Sequence, residues 1–193
     1  MPIPFALALL LTPVGENPVS PFIVFGGVAV TLLGEVIRLW GVHHIGAISR
    51  TRTDRLGPLI DSGPFAIVRN PLYIGNIGLW VGVALTARLL WMAPIIALLL
   101  AAEYHAIVKW EEQLLLSRLG EPYRDYTTRV PRWIPGSHRG ARGERGTNQV
   151  RSANSAVPAA AFSWKETLFS ERGTLVAIAA GYVLLWLKLT TWN

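Results

Sequence analysis

Long stretches without charge are the feature that most constrains the fold of this chain. A helix needs about 20 apolar residues to cross the hydrocarbon core of a bilayer, so a segment of that length with at most a few charges predicts a membrane helix. Because 51% of the 193 residues are hydrophobic and only 16% are charged, we expect an integral membrane protein with an all-α helical bundle as its single domain, residues 1–193. The main apolar segments are residues 22–40, 74–102 and 173–187.

The segment at residues 74–102 is too long for one crossing and short for two. It predicts a tight hairpin that turns near Arg88 to Trp91, with a second helix that runs on to about Leu119. Residues 3–12 are apolar but cover only about half of a crossing, so whether they cross as a short or tilted helix stays open. They lack a basic leader and a small-residue cleavage site, which argues against a secretory signal. With that first helix counted, we expect about five transmembrane helices.

Positive charge predicts the orientation of the bundle. The net charge of +6 is concentrated in residues 50–69 and 118–151, and both regions should be cytoplasmic by the positive-inside tendency. Residues 136–160 read as a flexible cytoplasmic loop whose arginines contact anionic lipid headgroups, and we expect no nucleic-acid partner. Residues 161–193 should hold an interfacial segment followed by the last transmembrane helix. The chain has no cysteine, which excludes disulfides, thiolate metal sites and cysteine nucleophiles.

One face of the second apolar segment is nearly free of side chains. Gly27, Gly34 and Gly41 recur every seven residues and predict close helix packing, either within one chain or between two chains, so the oligomeric state is unknown. Glu35 and Arg38 lie three residues apart on this helix and can form an ion pair. The neighbouring His43 and His44 point in different directions on a helix, and we expect no metal site.

Polar chemistry is concentrated at the two ends of the predicted hairpin. Arg69, Asn70 and Tyr73 precede its first helix, and Lys109 with the pair Glu111-Glu112 lies on its second helix. Because a hairpin brings its two ends together, we expect Arg69, Asn70 and Tyr73 to approach the two glutamates. Two carboxylates, an arginine, a lysine and an amide can surround a zwitterionic ligand. No Gly-X-Gly-X-X-Gly segment lies between a strand and a helix, so the soluble, doubly wound cofactor fold is not expected.

An ordered set of motifs in residues 40–135 resembles the isoprenylcysteine carboxyl methyltransferase and phospholipid methyltransferase superfamily. The motifs are Gly63-Pro64-Phe65, Arg69-Asn70-Pro71-Leu72-Tyr73-Ile74-Gly75, Glu111-Glu112, Gly120-Glu121-Pro122-Tyr123-Arg124-Asp125-Tyr126 and Val130-Pro131.

This resemblance implies a multi-pass membrane methyltransferase with a cytoplasm-facing pocket for S-adenosylmethionine and a lipophilic or lipid substrate that enters from the bilayer. The residues that it implies for the cofactor pocket are Arg69, Asn70, Pro71, Tyr73, Gly75, Glu111 and Glu112. Glu112 and Lys109 are the candidate catalytic residues.

Asn70 stands where the carboxyl methyltransferases of this superfamily have histidine. An asparagine forms hydrogen bonds but does not titrate near neutrality, so the identity of the substrate and the atom that is methylated stay open. The first alternative is a membrane reductase that uses NADPH, because sterol-reductase-like proteins resemble the chain around Pro71 to Gly75. The second is a non-catalytic membrane protein that binds anionic lipids.

Overall fold

All regular elements in the described part of the chain are helices. A computed structural model describes residues 3–13, 20–46, 59–136 and 163–191. The predicted all-α fold is confirmed. The helices are α1 (Ile3–Leu11), α2 (Pro21–Ile45), α3 (Pro71–Thr86), α4 (Met92–Leu119), α5 (Glu121–Arg129) and α6 (Trp164–Thr191), and a 3-10 turn covers Gly63–Ala66.

Three of the described helices, α2, α4 and α6, are long and apolar enough to cross a membrane. The apolar helix α3 has 16 residues, which span about 24 Å, somewhat less than the hydrocarbon core of about 30 Å. Helix α1 has nine residues and covers about 14 Å, less than half of that thickness. The predicted membrane bundle is therefore confirmed, while the number of five crossings stays a prediction.

The hairpin forms where the sequence predicts it. Helix α3 ends at Thr86, the chain turns through Ala87–Trp91, and α4 continues to Leu119. Arg88 lies in the turn with a φ of 60°, a left-handed conformation that few residues other than glycine adopt. Gly120 has a φ of 63° and ends α4, because its backbone continues into a conformation that a helix does not use.

Glycines of α2 pack against glycines of α3. A Cβ added at Gly34 would lie 2.7 Å from the carbonyl oxygen of Gly75, and one added at Gly27 would lie 2.8 Å from that of Gly82. Such distances are too short for carbon and oxygen, so the two backbones touch only because side chains are missing there. The glycine face thus packs within one chain, which resolves the choice that the sequence left open for this face.

Lys188 lies near the end of α6, where the side chain of a lysine is expected to extend towards the membrane surface, but it turns towards α1 instead. Its Nζ donates to the carbonyl oxygens of Leu9 and Thr12, at 2.6 Å in each case, and its side chain is buried. The last carbonyls of a helix have no partners within the helix, so the ammonium group of Lys188 satisfies the end of α1. This contact attaches α1 to α6.

The carboxyl-terminal segments differ from the predicted layout in one respect. Helix α6 runs unbroken from Trp164, so the segment predicted to be interfacial and the apolar run that begins at Gly173 form one helix. Apart from Gly136, the predicted loop at residues 136–160 lies outside the described residues. The arginine-rich stretch at residues 50–55 lies outside them as well.

Candidate functional site

The segment before α3 is held by the chain that follows α5. The backbone N–H of Arg69 donates to the carbonyl of Pro131 at 2.9 Å, and the Asn70 side-chain amide donates to the carbonyl of Arg132 at 3.2 Å. Asn70 is also the N-cap residue of α3, but its side chain forms no capping hydrogen bond with that helix. Asn70 therefore joins two segments of the chain, a role that needs an amide donor and no titratable group.

Helix α5 packs beneath this segment through two buried tyrosines. The Tyr126 hydroxyl donates to the carbonyl of Phe65 at 2.7 Å, and burial raises the pKa of this hydroxyl. Burial also raises the pKa of Tyr123, with a smaller contribution in the same direction from the nearby Glu112 carboxylate. Both hydroxyls are therefore neutral at physiological pH, so α5 supports the site through packing and hydrogen bonds.

Two arginines share the carboxylate of Glu112. Arg69 Nη1 lies 2.9 Å from Oε1, while Arg132 reaches Oε1 through Nε at 3.0 Å and Oε2 through Nη2 at 2.5 Å. The side chains of Arg69 and Glu112 are largely buried, at 11% and 15% exposure. Such a paired contact from one guanidinium fixes orientation as well as charge. The three side chains carry a net charge of +1 and hold together the segment before α3, the last third of α4 and the segment after α5.

Glu111 contacts an aromatic side chain rather than the two arginines that Glu112 binds. It accepts a hydrogen bond from the Tyr73 hydroxyl at 2.8 Å, and the Tyr73 ring stacks on Tyr104 with 4.6 Å between the ring centroids. The adjacent glutamates are thus used differently, because Glu112 is shared by two cations while Glu111 accepts from a tyrosine. The expected approach to the glutamate pair is present for Arg69 and Tyr73, whereas the Asn70 side chain donates to the carbonyl of Arg132.

Three other predicted site residues lie apart from these polar contacts. Pro71 is buried at the first position of α3. Gly75 packs against α2, where an added Cβ would lie 2.7 Å from both Arg38 Cγ and the carbonyl oxygen of Gly34. Lys109 is exposed on α4. The structure thus gives Gly75 a helix-packing contact and leaves Lys109 exposed to the surroundings.

Arg69, Arg132 and Glu112 form what we call the Glu112 cluster. Arg132 was not among the predicted site residues. It directly follows Val130-Pro131, which ends the motif set, and this proximity is the only signal in the sequence that could have found it. Arg38 and Asn76 were also outside the predicted site. Arg38 donates to Asn76 Oδ1 across the α2–α3 contact. The only signal for Arg38 was a charge inside an apolar segment.

A cavity of about 580 Å³ lies between the helices, next to the Tyr73–Tyr104 stack. Apolar side chains of α1, α3, α4 and α6 form most of its wall. Its polar lining residues are Arg38, Asn76, Tyr104 and Thr174. The volume is in the usual range for a small-molecule site. Since Tyr104 contacts both the cavity and Tyr73, the cavity and the glutamate pair are neighbours.

Comparison with known proteins gives a family match for the part of the chain that holds most of this site. The family model described as Phospholipid methyltransferase matches residues 22–121, just over half of the chain. The matched region contains Arg69, Tyr73 and the glutamate pair, and it ends before Arg132.

Two curated relatives come from bacteria and are named for metal resistance. The cobalt-zinc-cadmium resistance protein CzcN of Cupriavidus metallidurans is 29% identical over 117 residues, which are 61% of this chain and 51% of the relative. The nickel-cobalt-cadmium resistance protein NccN of Alcaligenes xylosoxydans xylosoxydans is 31% identical over 109 residues, 56% of this chain and 48% of the relative. The chain thus spans about half the length of the curated relatives it matches. No solved structure matches.

Proposed function

Because this chain belongs to the phospholipid methyltransferase family, we propose that it is an integral membrane methyltransferase that uses S-adenosylmethionine and methylates a lipophilic acceptor. The observation that carries the proposal is the convergence of the motif residues. Arg69, Tyr73 and the glutamate pair come from the two ends of the hairpin and form one polar site beside an apolar cavity.

The side chains present fit the chemistry of this cofactor. S-adenosylmethionine carries a carboxylate, an ammonium group and ribose hydroxyls, so its site needs both cationic donors and carboxylate acceptors. Arg69 and Arg132 supply donors, and Glu111 supplies an acceptor with capacity beyond its one bond from Tyr73. In the part of the chain that the structure describes, the buried Nε of Arg69 has no hydrogen-bond partner. An unused donor beside the glutamates is what an acceptor group of a ligand would satisfy.

We assign the roles as follows. Glu111 and Tyr73 hold the ammonium group or the ribose, Arg69 and Arg132 hold the carboxylate, and Glu112 positions both arginines. When bound, S-adenosylmethionine supplies the electrophilic methyl group, while the protein aligns this group with the acceptor and excludes water. Lys109, exposed near the glutamates, is retained as a candidate contact to the substrate at the rim. We expect this site on the cytoplasmic side, because the positive charge of residues 50–69 and 118–151 predicts that orientation by the positive-inside tendency.

The names of the two relatives raise metal binding as a further question. Among residues 3–13, 20–46, 59–136 and 163–191, no group of three or more histidine, cysteine, aspartate or glutamate side chains could hold a metal ion. We therefore do not extend metal binding to this chain.

A transfer assay tests the proposal. Membranes that contain the protein are incubated with S-adenosylmethionine labelled in its methyl group, and label is counted in the material that an organic solvent extracts. Wild-type protein should transfer label, Glu111→Gln should reduce the rate about tenfold or more, and Glu121→Gln should leave it unchanged, since Glu121 is exposed on α5. A wild-type rate no higher than that of empty membranes, together with binding of NADPH, would favour the reductase alternative.

A further inference from the structure

Arg38 of α2 is a largely buried arginine whose guanidinium group is held by two other helices. Its Nη2 lies 2.5 Å from Glu171 Oε2 and 3.5 Å from the Thr174 hydroxyl, both on α6, and its Nη1 donates to Asn76 Oδ1 on α3. The side chains of Arg38 and Glu171 are only 14% and 11% exposed. A charge inside a membrane bundle is costly, so an arginine that is fixed in this way points to a function.

Arg38 determines which way the Asn76 side-chain amide points. A guanidinium group has donors and no acceptor, so it binds the amide oxygen and turns the amide nitrogen away from itself. Asn76 also forms a side-chain hydrogen bond with Tyr104 on α4. In that bond the amide nitrogen donates to the hydroxyl oxygen of Tyr104.

The three side chains form a relay in which both hydrogen bonds point the same way, from Arg38 through Asn76 to Tyr104. Hydrogen bonds in such a chain polarise one another, so each strengthens the next. We call the part of the cavity wall formed by Arg38, Asn76, Tyr104 and Thr174 its polar end. The relay thus ends at the polar end of the cavity, with an O–H donor whose hydrogen is directed away from Asn76.

Tyr104 also lies next to the candidate cofactor site. Its ring stacks on Tyr73 with 4.6 Å between the ring centroids, and the Tyr73 hydroxyl donates to Glu111 at 2.8 Å. Glu111 follows Tyr104 by seven residues on α4, which is about two turns along the same face. A polar group that accepts from the Tyr104 hydroxyl would therefore lie beside the site that holds Tyr73 and Glu111.

We propose that Tyr104 orients the methyl acceptor by donating a hydrogen bond to an oxygen or nitrogen of its head group, and that Asn76 and Arg38 are positioning residues for this hydroxyl. The assignment rests on the proposed function. Methyl transfer needs the accepting atom, the methyl carbon and the sulfur in line, so a hydrogen bond that fixes the head group raises the rate without holding the cofactor. Glu171 acts at one remove, because it holds Arg38.

Tyr104→Phe removes the hydroxyl and keeps the ring on Tyr73. In the transfer assay with labelled S-adenosylmethionine, its rate per folded protein should be about tenfold below wild type, the factor expected for one lost hydrogen bond. Its affinity for S-adenosylhomocysteine, measured by calorimetric titration, should stay within about twofold of wild type, since Tyr73 and Glu111 are unchanged. A role in folding alone would not separate the rate from the affinity.

Tyr182→Phe on α6 is the matched control. The Tyr182 hydroxyl donates to Thr31 Oγ1 on α2 at 2.8 Å, and Tyr182 is not among the residues that line the cavity. The variant also loses one hydrogen bond between helices, so its melting temperature in detergent should fall. Its transfer rate per folded protein should stay within about twofold of wild type.

Asn76→Leu tests the relay. Leucine has no polar atom, so the Tyr104 hydroxyl loses the donor that orients it. The transfer rate should fall about as much as in Tyr104→Phe, and combining the two substitutions should cause no further loss, because Asn76 acts through that hydroxyl. If Asn76→Leu fails to fold, Asn76→Asp keeps an acceptor for Arg38, and its carboxylate has no hydrogen to donate to Tyr104, so the same loss of rate is expected.

Three results would overturn the inference: a wild-type rate in Tyr104→Phe, an equal slowing in Tyr182→Phe, or additive losses when Asn76→Leu and Tyr104→Phe are combined. With binding of S-adenosylhomocysteine intact, any of them would leave the proposed function standing. A loss of affinity in Tyr104→Phe as large as its loss of rate would also overturn the inference, because the hydroxyl would then act on the cofactor. Wild-type protein that neither binds S-adenosylhomocysteine nor transfers label would instead contradict the proposed function itself.

Discussion

Glu112 is the residue on which the geometry of the candidate site depends most, because Arg69 and Arg132 both bind its carboxylate. Glu112→Gln leaves the two guanidinium groups without an anion in a largely buried place. We expect a loss of about 2 kcal/mol in the free energy of unfolding, in the usual range for hydrogen bonds to charged groups. Unfolding in a detergent titration measures it.

The matched control for this variant is Glu121→Gln on α5. Glu121 pairs with Arg124 at 2.9 Å, but both side chains are exposed, at 72% and 62%. Exposed ion pairs contribute little, so a change below about 0.5 kcal/mol is expected. Equal losses in the two variants would contradict a structural role for the Glu112 cluster.

Tyr73 and Tyr126 allow binding to be separated from folding. Both hydroxyls donate a hydrogen bond, Tyr73 to the Glu111 carboxylate and Tyr126 to the Phe65 carbonyl. Tyr73→Phe keeps the ring on Tyr104 but removes the hydrogen bond that orients Glu111, so it should weaken S-adenosylhomocysteine binding about tenfold. Tyr126→Phe should lower the melting temperature and leave the affinity for S-adenosylhomocysteine within about twofold of wild type. Calorimetry measures the affinity of both variants, and thermal denaturation measures their melting temperatures. An affinity that falls in Tyr126→Phe but not in Tyr73→Phe would argue against ligand binding at Glu111.

At the scale of helices, the contact between α2 and α3 depends on glycine. A Cβ at Gly34 would lie 2.7 Å from the Gly75 carbonyl oxygen, whereas one at Gly26 meets no heavy atom within 4 Å. Gly34→Ala should therefore destabilise the protein by about 1 to 3 kcal/mol through overpacking. Gly26→Ala should be neutral or stabilising, since alanine favours helix by about 1 kcal/mol over glycine. Melting temperatures in detergent that are equal for the two variants would contradict this contact.

Local signals were sufficient to predict most of the helices. The hairpin, its turn near Arg88 and the end of α4 at Gly120 follow from apolar length and glycine chemistry, which neighbouring residues determine. The partner of the glycine face at Gly34 could not be predicted, because a bare helix face does not specify whether the other helix belongs to the same chain. The role of Lys188 was missed for a similar reason, since its partners lie about 180 residues earlier in the chain.

At the scale of the whole molecule, the candidate site combines contacts of very different sequence separation. The approach of Arg69 to Glu112 was predictable, because one hairpin carries both. Arg132 joins them only after α5 has folded back on the hairpin, and Glu171 reaches Arg38 across 133 positions. Contacts of that kind depend on packing rather than on local pattern, so the sequence predicted one wall of the site but neither the second arginine nor the polar end of the cavity.

The central claim is that the polar site binds an adenosyl cofactor, and calorimetric titration of the solubilised protein tests it most directly. Wild-type protein should bind S-adenosylhomocysteine, while Glu111→Gln should bind it about tenfold or more weakly and Glu121→Gln should match wild type. NADPH should give no saturable heat. Absence of S-adenosylhomocysteine binding by the folded wild-type protein, or saturable binding of NADPH in its place, would contradict the claim.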